Sequence, residues 1–155
     1  MKQLIFVVSL LLSGLVFGQD YGDSLVKKDF VSAQTIEYWV VRYINVERTK
    51  LGLDTLIVDS DLDNIAKSHS AWMLETGKYQ HSGLNIDEII IDGGHASNRY
   101  THKFEARAIV NGWMGSSGHK AQIIDPTHKF IGVGYSFKAR HSDGFISDYC
   151  TVTFR

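Results

Sequence analysis

The sequence predicts an α+β fold. Helix-period stripes dominate residues 34–124, and the two longest strand patterns cluster after Pro126, the only proline. Helices therefore come first and strands late, whereas a parallel βαβ fold would alternate them. Internal repeats, linkers and low-complexity tracts are missing from these 155 residues, so the chain reads as one domain behind a short leader.

The elements follow in order. Residues 34–51 predict a helix. Ile36, Trp39, Val40, Tyr43 and Ile44 fall at i, i+3, i+4, i+7 and i+8, one apolar stripe. Gly52 follows where a left-handed cap is wanted. Asn45 and Arg48 lie off the stripe. They suit either a solvated face or an anchor pair tying the helix end to a loop. Residues 53–58 are a connector with some extended character. Asp59, Ser60 and Asp61 are all good N-caps for a second helix. That helix carries Leu62, Ile65, Ala66, His69 and Met73 on one face and stops at Gly77. His69 there reads as a core histidine with a backbone partner, placed to support a neighbouring site.

Residues 79–85 form a loop containing His81. Residues 88–92 are a short β-branched run, a buried strand, and 93–100 a loop with His95 in solvent. Thr101 is the expected N-cap of a third helix, which ends near Met114 with Ala106, Ile109, Val110 and Trp113 turned inward. Residues 120–124 give a short fourth helix, ended by Pro126. Residues 129–137 alternate as a strand, and Gly132 and Gly134 let another backbone approach closely. Residues 138–144 turn, with Asp-Gly at the end. Residues 145–154 form the last strand, with Cys150, Val152 and Phe154 on one face and Tyr149, Thr151 and Thr153 on the other. These last two strands predict an antiparallel hairpin.

The first residues read as a secretory signal. Lys2 supplies the positive charge, residues 4–12 are apolar but for Ser9, and Val16-Phe17-Gly18 suits a signal peptidase. The expected organisation is a signal peptide over 1–18, an N-terminal arm over 19–33 and a domain over 34–155. The apolar run is shorter than the ~20 residues a membrane span needs, and no later segment looks transmembrane. The predicted address is extracellular or periplasmic. Lipid attachment at the cleavage region is excluded, since no cysteine lies there. Net charge is −1, which argues against non-specific nucleic-acid binding. The single cysteine, Cys150, permits no internal disulfide and sits within a strand pattern, as a buried structural thiol would.

Two histidines stand apart. His119 follows Gly115-Ser-Ser-Gly118 at a helix boundary, where an imidazole is cheaply exposed in a cleft. His81 lies in a second glycine-bounded segment, Gly77 to Gly83. The expectation is that both meet Glu88 across one cleft.

A resemblance sharpens this. Asn45-Val-Glu-Arg48 before Leu51-Gly52, then Asp59, Leu62, Ala66, Gln80-His81, Glu88-Ile-Ile90, Trp113-Met-Gly-Ser116, Gly118-His119, Gly132-Val-Gly134 and the run from Tyr149 to Phe154 fall in order. The set resembles the CAP superfamily of cysteine-rich secretory proteins, antigen 5 and plant pathogenesis-related proteins. It looks most like the bacterial, disulfide-free members, over roughly residues 34–154. The resemblance implies a three-layer α-β-α sandwich with a central antiparallel sheet. It also implies a cleft in which His81 and His119 are metal ligands, for Zn²⁺ or another divalent ion, with Glu88 beside them. Extracellular lipid, sterol or polysaccharide ligands are associated with the family. This chain departs from the pattern in places. Asp87-Glu88-Ile89-Ile90 replaces Gly-Glu-Asn-Ile, Ser116 stands where many members have a second glutamate, and Ser117 replaces a proline before Gly118-His119. Cys150 and Val152 stand where an aromatic and a glutamine are frequent.

Two functions are open to such a cleft. One is a binding module for a divalent metal and an extracellular ligand, built from His81, Glu88, Ser116 and His119. The other is an extracellular hydrolase. In its serine form Ser116 is nucleophile, His119 base and Glu88 orienter; in its metal form a metal-bound water attacks, with Glu88 as base. Ser-Ser-Gly-His is not a nucleophile elbow, and serines so placed often cap a helix. The sequence favours binding.

Overall fold

A computed structural model describes residues 32–96, 101–139 and 145–155. The expected signal peptide and nearly all of the N-terminal arm lie outside the described residues. Four helices and four strands follow in the order α1 (Ala33–Lys50), β1 (Ile57–Val58), α2 (Ser60–Thr76), β2 (Asp87–Ala96), α3 (His102–Gly115), α4 (Ser117–Ile123), β3 (Phe130–Ala139) and β4 (Phe145–Phe154).

One four-stranded sheet, ordered β1-β3-β4-β2, forms the middle layer. β4 is antiparallel to both β3 and β2, with Val152 opposite Val133 on one side and Ile89 on the other. The central antiparallel sheet is as expected, and the 53–58 connector adds a two-residue parallel edge, Ile57 and Val58 beside Phe130 and Ile131.

Both faces of β4 are covered. Cys150, Val152 and Phe154 join Ile36, Val40 and Ile44 of α1 and Ala106, Ile109, Val110 and Trp113 of α3 in one core. Each fully buried aliphatic side chain there contributes roughly 1.5–3 kcal/mol. On the opposite face Thr151 and Thr153 are also fully buried, beneath α2. Their hydroxyls are satisfied by Ser70 Oγ, 3.0 Å from Thr151 Oγ1, and by Leu62 O, 3.1 Å from Thr153 Oγ1. Gly132 and Gly134 admit α2 to this face. A Cβ on Gly132 would overlap the Leu62–Asp63 backbone, and one on Gly134 the Ala66–Lys67 backbone. Two strand residues rise ~6.6 Å and four helix residues ~6 Å, so the helix runs along the strand in step with the two glycines.

The caps form where the sequence places them. Asp59 Oδ1 accepts from the N–H groups of Asp61 and Leu62, and Thr101 Oγ1 from that of Phe104. Gly77 closes α2 at φ 66°. Asn45 and Arg48 prove to be anchors. Asn45 exchanges two hydrogen bonds with Leu56, and the buried Arg48 guanidinium donates to the carbonyls of Asp54, Ile123, Asp125 and His128.

Two boundaries differ from expectation. β2 runs on through Gly93, Gly94 and His95 to Ala96, each paired with β4, so His95 lies in a strand rather than a solvent loop. A full-length partner strand offers ladder hydrogen bonds that outweigh the weak strand preference of two glycines. α4 begins at Ser117, because only Ser116 is extended (φ −102°, ψ 123°) and the Lys120 N–H already returns to Ser116 O. Among the described residues, no helix is long and apolar enough to cross a membrane.

Candidate functional site

Glu88 is the fixed point. It sits near the start of β2, opposite Thr153 of the doubly covered strand β4, and its side chain is 4% exposed. One carboxylate oxygen, Oε2, accepts from two donors in the preceding loop. His81 Nδ1 lies 2.9 Å away and the Ser82 N–H 2.9 Å away. Gly83, at φ 74°, turns the chain back so that this loop returns over the strand. Since Nδ1 donates to the carboxylate, Nε2 is the ring nitrogen not engaged by Glu88, and the side chain is 59% exposed.

The second carboxylate oxygen, Oε1, is buried without a hydrogen-bond partner. His69 Nε2 lies 4.0 Å from it. That nitrogen bonds Gln80 O at 2.9 Å, so its proton is committed to the His81 loop. The ring also stacks on Trp72, with centroids 5.7 Å apart. His69 is thus the core histidine with a backbone partner, and its role is to hold the loop that carries His81.

His119 lies just past α3, in α4, and is half-buried. Burial and the neighbouring His81 imidazole hold its pKa below the ordinary histidine value. The two histidines, remote in sequence, therefore sit in each other's field. α3 and the Tyr79 loop are pinned to the outer edge of β2 by one carbonyl: Trp113 Nε1 and Tyr79 Oη each lie 3.1 Å from Ile90 O. Burial and the nearby Asp92 push the Tyr79 phenol up.

Ser116 marks the α3–α4 junction, its N–H returning to Trp113 O at 3.0 Å and its side chain making no cap bond. Among the described residues it shares no hydrogen bond with His119.

A groove of about 520 Å³ opens between α2 and the His81 loop. Ile65, Trp72 and Leu84 give it apolar walls, with Asn64, Ser68 and Gln80 among its polar groups. His81 lines it, but Glu88, Ser116 and His119 do not. His81 therefore belongs both to the groove and to the contact with Glu88. Among the described residues, no group of three or more His, Cys, Asp or Glu side chains is arranged to hold a metal ion. Glu88 Oε2 is engaged by His81 and Ser82, while Oε1 has no hydrogen-bond partner.

Sequence reasoning named His81, Glu88 and His119 as candidates but gave no sign of the groove. Its wall comes from α2 residues whose helical spacing only says that they share a face. Trp72 gave no separate signal.

The family model for the cysteine-rich secretory protein family, CAP, matches residues 41–154. Among curated proteins, the uncharacterized protein YkwD of Bacillus subtilis (strain 168) is 30% identical over 112 residues, covering 67% of this chain and 44% of its own length. The uncharacterized membrane protein YlbC of the same organism is 26% identical over 133 residues, covering 76% of this chain and 38% of its own length. The chain thus spans less than half the length of these two relatives. Of solved structures, an outer surface protein from Borrelia burgdorferi superposes with a TM-score of 0.60 at 18% identity, over 81% of this chain and 96% of that one. An extracellular protein containing an SCP domain from Bacillus anthracis str. Ames gives 0.54 at 17% identity, over 79% and 41%. These likenesses show a shared α-β-α sandwich.

Proposed function

The chain belongs to the cysteine-rich secretory protein (CAP) family, and on that premise we propose that it is a secreted binding protein whose cleft takes a divalent cation and an extracellular ligand. The observation that carries this reading is the 2.9 Å bond from His81 Nδ1 to the buried Glu88 carboxylate. A carboxylate behind one ring nitrogen fixes the tautomer and aims the other nitrogen outward, as in metal-binding histidines generally. His119, whose pKa burial and His81 hold below the ordinary histidine value, would supply the second imidazole.

A bound Zn²⁺ or similar ion would be held by His81 and His119, with water or ligand oxygens completing its shell. It would supply Lewis acidity for docking an anionic or hydroxyl-bearing group. The adjoining groove, apolar along Ile65, Trp72 and Leu84, suits the body of a lipid, sterol or polysaccharide ligand. An extracellular address is supported by the outer-surface and extracellular proteins that share the fold.

Metal content of purified protein tests the reading, comparing the wild type with His81→Ala, His119→Ala and Glu88→Gln. We expect a divalent ion in the wild type and its loss in either histidine variant. Glu88→Gln should weaken affinity by about 10–100-fold, the usual cost of losing an outer carboxylate. Equal metal content in all four proteins would overturn the proposal.

A further inference from the structure

A further histidine lies outside the cleft, with a hydrogen-bond acceptor at each ring nitrogen. His128 is 4% exposed and lies between α4 and β3. Its Nδ1 faces Gln122 O at 3.0 Å, and its Nε2 faces Asp87 Oδ2 at 3.2 Å. Both partners are acceptors when Asp87 is ionised. A neutral imidazole has one N–H and satisfies only one of them; the imidazolium donates to both.

We propose that protonated His128 is a bridge tying the first residue of β2 to the end of α4, and that loss of its proton releases Asp87. The choice of contact follows from burial. Gln122 O belongs to the chain wall beside the ring, whereas the Asp87 side chain is 57% exposed and finds water when it swings out. The end of α4 stays in place without the bridge, because Arg48 Nη1 donates to Ile123 O and Asp125 O at 2.8 Å each. Asp87 immediately precedes Glu88, so the bridge steadies the carboxylate that orients His81.

The charged groups around the ring are few. β2 contributes Asp87, and the α4–β3 connection contributes Asp125, whose carboxyl feels His128. α1 contributes Arg48, which donates to the His128 carbonyl at 3.3 Å. β4 contributes only the ring of Phe154, stacked at 4.9 Å. Lys129, next in sequence, points away to Pro126 O and Asp54.

The test uses nitrogen-15 NMR of the full chain between pH 5 and pH 8, the span in which histidines change charge. It needs neither metal nor ligand, so it is independent of the function proposed above. A His81→Ala background removes the ring bonded to Glu88; His128 is then the histidine bonded to Asp87, and His69, 4.0 Å from Glu88 Oε1, is the other imidazole beside the segment, which the Asp87→Asn comparison separates. We expect both His128 ring nitrogens protonated at the acid end. On titration the Nδ1–H should remain, and the Asp87 and Glu88 amide signals should move with the ring. Asp87→Asn should abolish that linked movement, since an amide accepts from an imidazolium and donates to a neutral ring. A His128 ring neutral throughout, amides that ignore its titration, or amides that follow it equally in Asp87→Asn would each overturn the proposal.

Discussion

At the scale of single residues, the cleft depends on which ring nitrogen is engaged. His81 is set by Glu88, His69 by Gln80 O and His119 by burial beside His81. The last of these makes stability depend on pH. Folding lowers the His119 pKa, so the unfolded chain takes up that proton first as pH falls. Its contribution is present above the ordinary histidine value, about 6.5, and is lost as pH drops below it. Replacing His119→Asn should therefore flatten the decline in stability between about pH 7 and pH 5, read as urea midpoints at a series of pH values. An unchanged pH slope would show that His119 is not held neutral. His81 and His119 were legible as candidates because small residues and glycines surround each. The unpartnered Glu88 Oε1 was not, because it arises from packing of α2 and the loop against β2, which residue types alone do not reveal.

At the scale of elements, the closest fit is between α2 and β3. The alternation of residues 130–137 with two glycines already suggested a close backbone approach, and α2 supplies that backbone. Relieving the overlap at Gly134 requires moving a helix. Gly134→Ala should thus cost about 1–3 kcal/mol or more in chemical denaturation. A cost under about 0.5 kcal/mol would mean that α2 is not seated on β3. Other element boundaries were less legible. The extension of β2 depends on ten paired residues of β4 that lie 49 to 67 positions away, from Ala96 with Phe145 to Asp87 with Phe154, and local propensity reads Gly93-Gly94 as loop. β3 shows a related device. Its outer-edge N–H groups of Val133 and Tyr135 are capped by Asp63 Oδ1 at 2.9 Å and Glu37 Oε1 at 3.1 Å. Side chains from two helices thereby end the sheet where β1 stops, which protects the edge from pairing with another chain. Burial raises the Glu37 pKa, against the pull of the Tyr135 N–H and Lys67.

At the scale of the whole molecule, three layers bury both faces of β4, and no disulfide is needed to hold them. Cys150 is fully buried in the larger core, and burial pushes its thiol well up. Native protein should react with iodoacetamide only on the timescale of global unfolding, whereas urea-unfolded protein should react at once. Rapid labelling of the native state would contradict the packing of β4 against α1 and α3. The order of layers was legible from helices early and strands late, together with the family resemblance. The parallel edge strand was not, since two residues carry too little pattern.

The proposed cleft needs His81 and His119 to act together, with Glu88 behind one of them. A crystal structure of the protein soaked with Zn²⁺ addresses this most directly. We predict a single ion about 2.0–2.1 Å from His81 Nε2 and from one nitrogen of His119, with Glu88 still bonded to His81 Nδ1. An ion bound elsewhere, or rings that hold no ion between them at saturating Zn²⁺, would contradict it.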